Sequence, residues 1–208
     1  GFKNDFIFLK THAGMFKIDD NAFSKIENTR GYIYIIRDPR DVCISNAKHN
    51  GITFDKSIDM MLNQNTIINW VTKKEDEKAF NQNTLPKSLM SSWNRHVISW
   101  TKLNWSIPYL ILKYEDLVYD KKNTLQKIIL FFEKNYNFRF HNINKKILNI
   151  LETTEFKKFS EYEEKEGFAE ATGFSNFFSV GKKNQWKEKL TISQIKRIEK
   201  KFGKLMKS

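Results

Sequence analysis

Gly31-Tyr-Ile-Tyr-Ile-Ile-Arg-Asp-Pro-Arg-Asp-Val-Cys-Ile-Ser45 is the stretch whose reading decides the fold. Tyr32 to Ile36 is an unbroken β-branched and aromatic run, the pattern of a strand buried on both faces. Arg37 stands where that run ends. Asp38 suits a helix N-cap, Pro39 the first helical position, and Asp41 the third position of a capping box. The segment therefore predicts strand, tight turn and helix, with Ser45 in the second helical turn. Such a corner favours anions, because free N–H groups, the helix dipole and a forked guanidinium converge there. The plainer alternative is an ordinary β–α corner whose arginine pairs with a nearby carboxylate.

Composition sets the bounds. A chain of 208 residues can bury the core of one α/β domain, assigned here to residues 1–208. Its 3 prolines and 8 glycines leave no room for low-complexity linkers. A net charge of +12 favours an anionic partner, although most lysines in so polar a chain simply solvate its surface. The single Cys43 excludes an internal disulfide and fits a reducing compartment, so a cytoplasmic location is expected. No apolar run has transmembrane length, and no signal peptide is visible.

Outward from the central stretch, Asp5 to Lys10 reads as a short buried strand ending in Lys10-Thr11-His12. Residues 14–30 read as a polar connection with a short helix. Phe54 to about Trp70 has helical spacing, Lys73–Lys78 reads as a solvated turn and 80–86 as a loop. Ser88 to Trp105 reads as one amphipathic helix, with Leu89, Trp93, His96, Val97 and Trp100 on its apolar face. His96 is also a candidate for lining an acceptor pocket. Tyr109 to Tyr114 reads as a third strand, ending in Glu115-Asp116. Residues 121–134, 143–151 and 192–206 read as helices, 161–167 as an exposed acidic stretch, and 176–186 lacks periodicity. Strands alternating with helices predict a three-layer α/β sandwich on a central parallel sheet.

The chemistry-bearing residues gather at strand ends: Lys10 and His12, Arg37 and Ser45, and Tyr114 with its two acids. In an open parallel sheet that edge is where ligands bind. The four histidines are scattered, which predicts no metal site, and neither a Gly-x-Ser-x-Gly elbow nor a complete Walker loop occurs.

In this order the motifs resemble the sulfotransferases that use 3′-phosphoadenosine 5′-phosphosulfate (PAPS). The matches are Lys10-Thr11-His12, Arg37 to Val42 with Ser45, Ser92-Trp93-x-x-His96-Val97-x-Ser99-Trp100, Tyr114 to Leu117, and Gly181-Lys-Lys-Asn-Gln-Trp-Lys187. The resemblance implies a fold like that of P-loop nucleoside triphosphate hydrolases. It implies His12 as general base, with Lys10 near the bridging oxygen. It implies Arg37 and Ser45 on the 3′-phosphate, Tyr114 on the adenine, Thr154 and Phe156 along the nucleotide, and Gly181 in a loop that completes the phosphate site. Lys182 and Lys183 stand ready to replace an Arg-Lys pair that the family carries before this glycine, where Ser179-Val180 stand here. Sulfotransferases open with a strand and a loop for the 5′-phosphosulfate, and these 208 residues start downstream of that point, so an upstream strand and loop are expected.

The implied reaction moves a sulfuryl group to a hydroxyl or amine on a small-molecule or glycan acceptor. It leaves 3′-phosphoadenosine 5′-phosphate (PAP) and needs no metal. The rival reading is a non-catalytic basic module that binds nucleotides or polyanions. The basic residues form no stripe with interleaved exposed aromatics, which argues against nucleic acid.

Overall fold

The structure is a computed structural model that describes residues 6–18, 21–69, 87–178 and 181–207. In chain order, the strands β1 (Lys17–Ile18) and β2 (Asn21–Ala22) form a minimal hairpin, and a 3₁₀ turn follows at Ile26–Asn28. Then come β3 (Tyr32–Ile36), α1 (Pro39–Asn50), α2 (Phe54–Leu62), β4 (Ile67–Asn69), β5 (Lys87–Leu89), α3 (Trp93–Thr101) and β6 (Tyr109–Lys113). The helices α4 (Tyr114–Tyr119), α5 (Lys121–Tyr136), α6 (Ile143–Thr153), α7 (Phe156–Glu166), α8 (Trp186–Lys189) and α9 (Ile192–Met206) complete the described chain.

The decisive stretch folds as strand, turn and helix. β3 pairs in parallel with β6, in register from Tyr32 against Tyr109 to Ile36 against Lys113. A parallel pair needs a long crossover, and helices α1, α2 and α3 lie between the two strands in sequence. The turn before β3 needs a glycine: a Cβ on Gly31 would stand 2.6 Å from the Pro108 carbonyl oxygen. On one sheet face Tyr32 and Tyr34 carry the ring of Trp100 from α3, at 5.2 and 6.0 Å between centroids.

β3 is not buried on both faces. Ile33 and Ile35 are exposed, because among the described residues β3 has only β6 beside it. The expected strand at Asp5–Lys10 fails for the same reason. Residues 6–10 have no ladder partner and no regular structure, and Ile7 and Leu9 are open to solvent. Instead, Phe6 meets Tyr136 and Phe138 edge-on, and Phe8 meets Phe132, so aromatic contacts lay this segment along α5.

Two predicted helices are shorter than their periodicity suggests. α2 stops at Leu62, where Asn63 accepts the Asn65 N–H in a local turn, and Ile67 and Ile68 pass into β4. The helix expected over Ser88–Trp105 begins only at Trp93. Ser91 takes a left-handed φ of 59°, and Leu89 belongs to β5. The short helix expected in the polar connection 14–30 is the three-residue 3₁₀ turn at Ile26–Asn28, and the hairpin precedes it. Tyr114 opens α4 instead of ending β6. The stretch expected to be exposed and acidic hides one buried carboxylate. Glu163 accepts the N–H groups of Phe177 and Phe178 at 2.6 and 2.8 Å, and so anchors the loop after α7. The expectations for Lys73–Lys78, for 80–86 and for Ser179-Val180 lie outside the described residues.

A buried apolar cluster lies among α1, α2, α9 and the Leu190 that precedes α9. Cys43, Ile44, Ile58, Met61, Leu190, Ile198 and Phe202 are buried together, with Trp93 and Trp186 packed on them. α9 is set by a capping box: Thr191 Oγ1 accepts the Gln194 N–H, and Gln194 Oε1 accepts the Thr191 N–H. Phe202 is fully buried and meets the Trp93 ring at 5.2 Å. Phe202→Ala is therefore expected to cost about 3–5 kcal/mol of stability, read as a lowered urea midpoint.

Candidate active site

Arg37 leaves the end of β3, and its guanidinium carbon lies over the Tyr114 ring, 4.2 Å from the centroid, at the end of β6. The parallel register makes this meeting, because Ile36 and Lys113 are partners and the next residue of each strand follows in step. The same junction is closed by the Asp38 N–H, which donates to Glu115 Oε1 at 3.2 Å. Asp38 caps α1 by accepting from the Arg40 N–H, as its position in the sequence predicts.

Asp41 does not close the expected capping box. It is buried, and its two oxygens accept the N–H groups of Asn184 and Trp186 at 2.7 and 3.1 Å. Two donors from one distant turn satisfy this carboxylate better than the single N–H of its own helix start. Arg40 is equally occupied: it pairs with Asp38 and Glu199 and covers the Trp186 ring at 3.7 Å. Asp41 thereby brings the 181–186 loop to the front of α1. There Arg37 donates to the Lys182 carbonyl at 3.4 Å, and Gly181 packs on Phe156. Gly181 has a φ of 58°, and a Cβ there would lie 2.5 Å from Phe156 Cδ2, so only glycine fits.

A cavity of about 970 Å³ opens at this junction, and it gathers most of the residues singled out in the sequence. His12, Arg37, Ser45, Tyr114, Thr154, Phe156 and Gly181 all line it. Arg37 Nε is buried and has no hydrogen-bond partner among the described residues. Lys182 and Lys183 do not line the cavity. Lys182 contributes its carbonyl to Arg37, and Lys183 sits over the Tyr119 ring at 4.2 Å. Other cations come instead: Lys48 from α1, Lys121 from α5 and Lys189 from α8. Lys121 also grips Thr154, donating to its carbonyl at 2.7 Å and its hydroxyl at 3.2 Å. Nothing in the local sequence marks these lysines; helix packing selects them.

His12 is held by α3 rather than by a strand of its own. His96 Nε2 lies 3.1 Å from the His12 carbonyl, which can only accept, so that nitrogen carries the proton. Nδ1 then accepts from the Tyr34 hydroxyl at 3.0 Å. Trp100 Nε1 donates to the Ala13 carbonyl at 3.1 Å, and the Met15 N–H to Ser99 Oγ at 3.0 Å. The Ser-Trp-x-x-His-Val-x-Ser-Trp helix is thus a brace for the turn after His12, and His96 serves this turn rather than lining the cavity. Lys10 pairs with Glu170, whose other oxygen lies 3.7 Å from His12 Nε2. The sequence reading missed Glu170.

Burial, then the Lys10 ammonium, hold His12 below the ordinary histidine value, against the pull of Glu170. Burial holds His96 below it too, against its hydrogen bond to the His12 carbonyl. Unfolded, both titrate near 6.5. As pH falls through that value the unfolded chain takes up protons that the folded chain refuses, so folding stability drops until the lowered folded values are passed. Urea midpoints should therefore fall between about pH 7.5 and 5.5, and His96→Leu should flatten that slope. The same variant leaves the Tyr34 hydroxyl and the His12 carbonyl without their partner, at an expected cost of about 1–3 kcal/mol at neutral pH.

Comparison with known proteins gives this arrangement a family. The sulfotransferase domain family matches residues 4–208, and the chain belongs to it. Sulfotransferase 2A2 of Rattus norvegicus is 27% identical over 199 residues, covering 95% of this chain and 63% of that protein. The 3-beta-hydroxysteroid sulfotransferase of Cavia porcellus is 26% identical over 179 residues, covering 84% of this chain and 55% of that protein. This chain thus spans less than two-thirds of the length of these relatives. Among solved structures, mouse sulfotransferase SULT7A1 complexed with PAP superposes with a TM-score of 0.58 at 18% identity, over 85% of this chain and 58% of that one. Retinol dehydratase in complex with androsterone and the inactive cofactor PAP gives 0.56 at 20% identity, over 83% and 46%. These likenesses show the fold, which is the expected α/β class with a parallel sheet, of the P-loop nucleoside triphosphate hydrolase kind. No helix among the described residues is long and apolar enough to cross a membrane.

Proposed function

We propose that this protein transfers a sulfuryl group from PAPS to a hydroxyl or amine of a small-molecule acceptor, releasing PAP. The observation that carries the reading is Arg37, a residue of the cavity wall whose buried Nε has no hydrogen-bond partner among the described residues, in a cavity that Ser45 and Gly181 also line. An unmade charge-assisted hydrogen bond in a buried place is costly, and a phosphate oxygen would satisfy it. Family membership and PAP in both superposed structures agree with that ligand.

Within this reading Arg37, seated over the Tyr114 ring, fixes the 3′-phosphate together with Ser45 and backbone from the loop at Gly181. Tyr114, Thr154 and Phe156 bound the nucleotide, and Lys121 keeps Thr154 in place. Lys10 offers positive charge near the leaving oxygen. His12 takes the acceptor proton, since its lowered affinity for protons keeps it neutral near pH 7. The nucleotide supplies the group transferred; the chain orients it, offsets charge and accepts a proton.

PAP should raise the melting temperature of the protein while AMP, lacking the 3′-phosphate, has little effect. Arg37→Ala should weaken PAP by about 10–100-fold, the loss of one charge-assisted contact of about 1.5–3 kcal/mol, with AMP nearly unchanged. Equal stabilisation by PAP, AMP and unrelated polyanions, falling steeply with salt, would favour the rival polyanion-binding reading instead. In the full natural protein His12→Ala should lower turnover by about 10²–10⁴-fold with PAP affinity retained.

A further inference from the structure

Glu170 sits in Gly167-Phe-Ala-Glu-Ala-Thr172, between α7 and the loop that Asp41 anchors. The tertiary structure fixes where it stands. The Thr172 hydroxyl donates to the His49 carbonyl at 2.5 Å, the Ser175 hydroxyl to the Lys48 carbonyl at 3.3 Å, and Glu163 holds Phe177 and Phe178. This loop therefore rides on the end of α1 and delivers Glu170 into the cavity beside His12. One carboxylate oxygen pairs with Lys10, and the other faces His12 Nε2 at 3.7 Å.

We propose that Glu170 is a positioning residue for His12: it orients the imidazole and compensates the positive charge that His12 acquires when it takes the acceptor proton. This rests on the reading of His12 as the base. Among the described residues, groups that act on the His12 charge include Lys10 from its own segment, His49 from α1, His96 from α3 and Glu170 from the 167–176 loop. Of these four, Glu170 is the negative one.

In the step, the acceptor oxygen forms a bond to sulfur and gives its proton to His12. The bond from sulfur to the phosphate oxygen breaks, and its electron pair stays on that oxygen. The imidazolium so formed lies in a partly buried place beside the Lys10 ammonium, which opposes it. A carboxylate 3.7 Å away offsets that repulsion. Burial, Lys10 and His49 each hold His12 below its ordinary value, while Glu170 pulls the other way. Without Glu170 the base would be weaker as well as less well oriented.

The test reads His12 directly. The ring C–H of His12 is followed by NMR against pH in the nucleotide-free protein, in wild type and in Glu170→Gln. Removing the carboxylate should move the His12 midpoint downward. Turnover should fall about 10–100-fold, the scale of losing an orienting partner, while the Kd for PAP changes less than about threefold. Glu170→Asp should restore part of both. Lys10→Gln serves as a second variant: with the ammonium gone, the His12 midpoint should rise above wild type. An unmoved midpoint in either variant, or full turnover in Glu170→Gln, overturns the proposal. So does a loss of PAP affinity that matches the loss of turnover, because Glu170 would then serve the nucleotide site. A wild-type protein that fails to bind PAP yet shows the midpoint shift would sink the sulfotransferase reading and leave the His12–Glu170 pairing standing.

Discussion

The arrangement depends on one buried carboxylate. Asp41 stands in the first turn of α1 and accepts two backbone N–H groups from Asn184 and Trp186, more than 140 positions along the chain. A buried charge without partners is prohibitive, so wherever this chain folds those donors must be present. That requirement sets the 181–186 loop against the start of α1. Arg37, Gly181 and Phe156 become neighbours as a consequence, and α8 and α9 follow on to close the apolar cluster over Cys43 and Ile58.

A second constraint acts on the other side of the cavity. The segment that carries Lys10 and His12 has no ladder to define its register. Its position comes from three polar contacts with α3, through His96, Ser99 and Trp100, and from aromatic contacts with α5. The polar residues on the inner face of α3 thus spend their hydrogen-bonding capacity on backbone groups of a turn. A neutral His96 suits that duty, because it can donate to the His12 carbonyl and accept from Tyr34 at once.

Charge in the cavity follows from these two constraints. One end of the cavity is built on Arg37, fixed above Tyr114, with Ser45 close along α1. At the other end His12 and Glu170 line the cavity, and Lys10, which does not line it, pairs with Glu170 from outside. The two ends differ in kind: one holds a fixed guanidinium over an aromatic ring, and the other sets an imidazole 3.7 Å from a carboxylate.

The sequence by itself determined the strand–turn–helix of residues 31–45, because the β-branched run, the Asp38 cap and Pro39 act on adjacent backbone. It also determined α5, α6 and α9, whose apolar periodicity is long and uninterrupted. Its strand ends marked Lys10, His12, Arg37, Ser45 and Tyr114, the family resemblance added Thr154, Phe156, Gly181 and Lys182, and one cavity gathers all of these except the two lysines. The tertiary structure alone decided the rest. Periodicity ran across Ser91 and Asn63 because helical spacing says nothing of a left-handed residue or a side-chain turn within the run. Phe6 to Lys10 looked like a strand, yet a strand exists only where another supplies its hydrogen bonds. The spacing around Asp41 points to its own helix start because spacing shows only near partners, whereas its donors are distant. Glu170 escaped notice for the same physical reason: a carboxylate acquires meaning from the groups folding sets beside it, and Lys10 and His12 come from the far end of the chain.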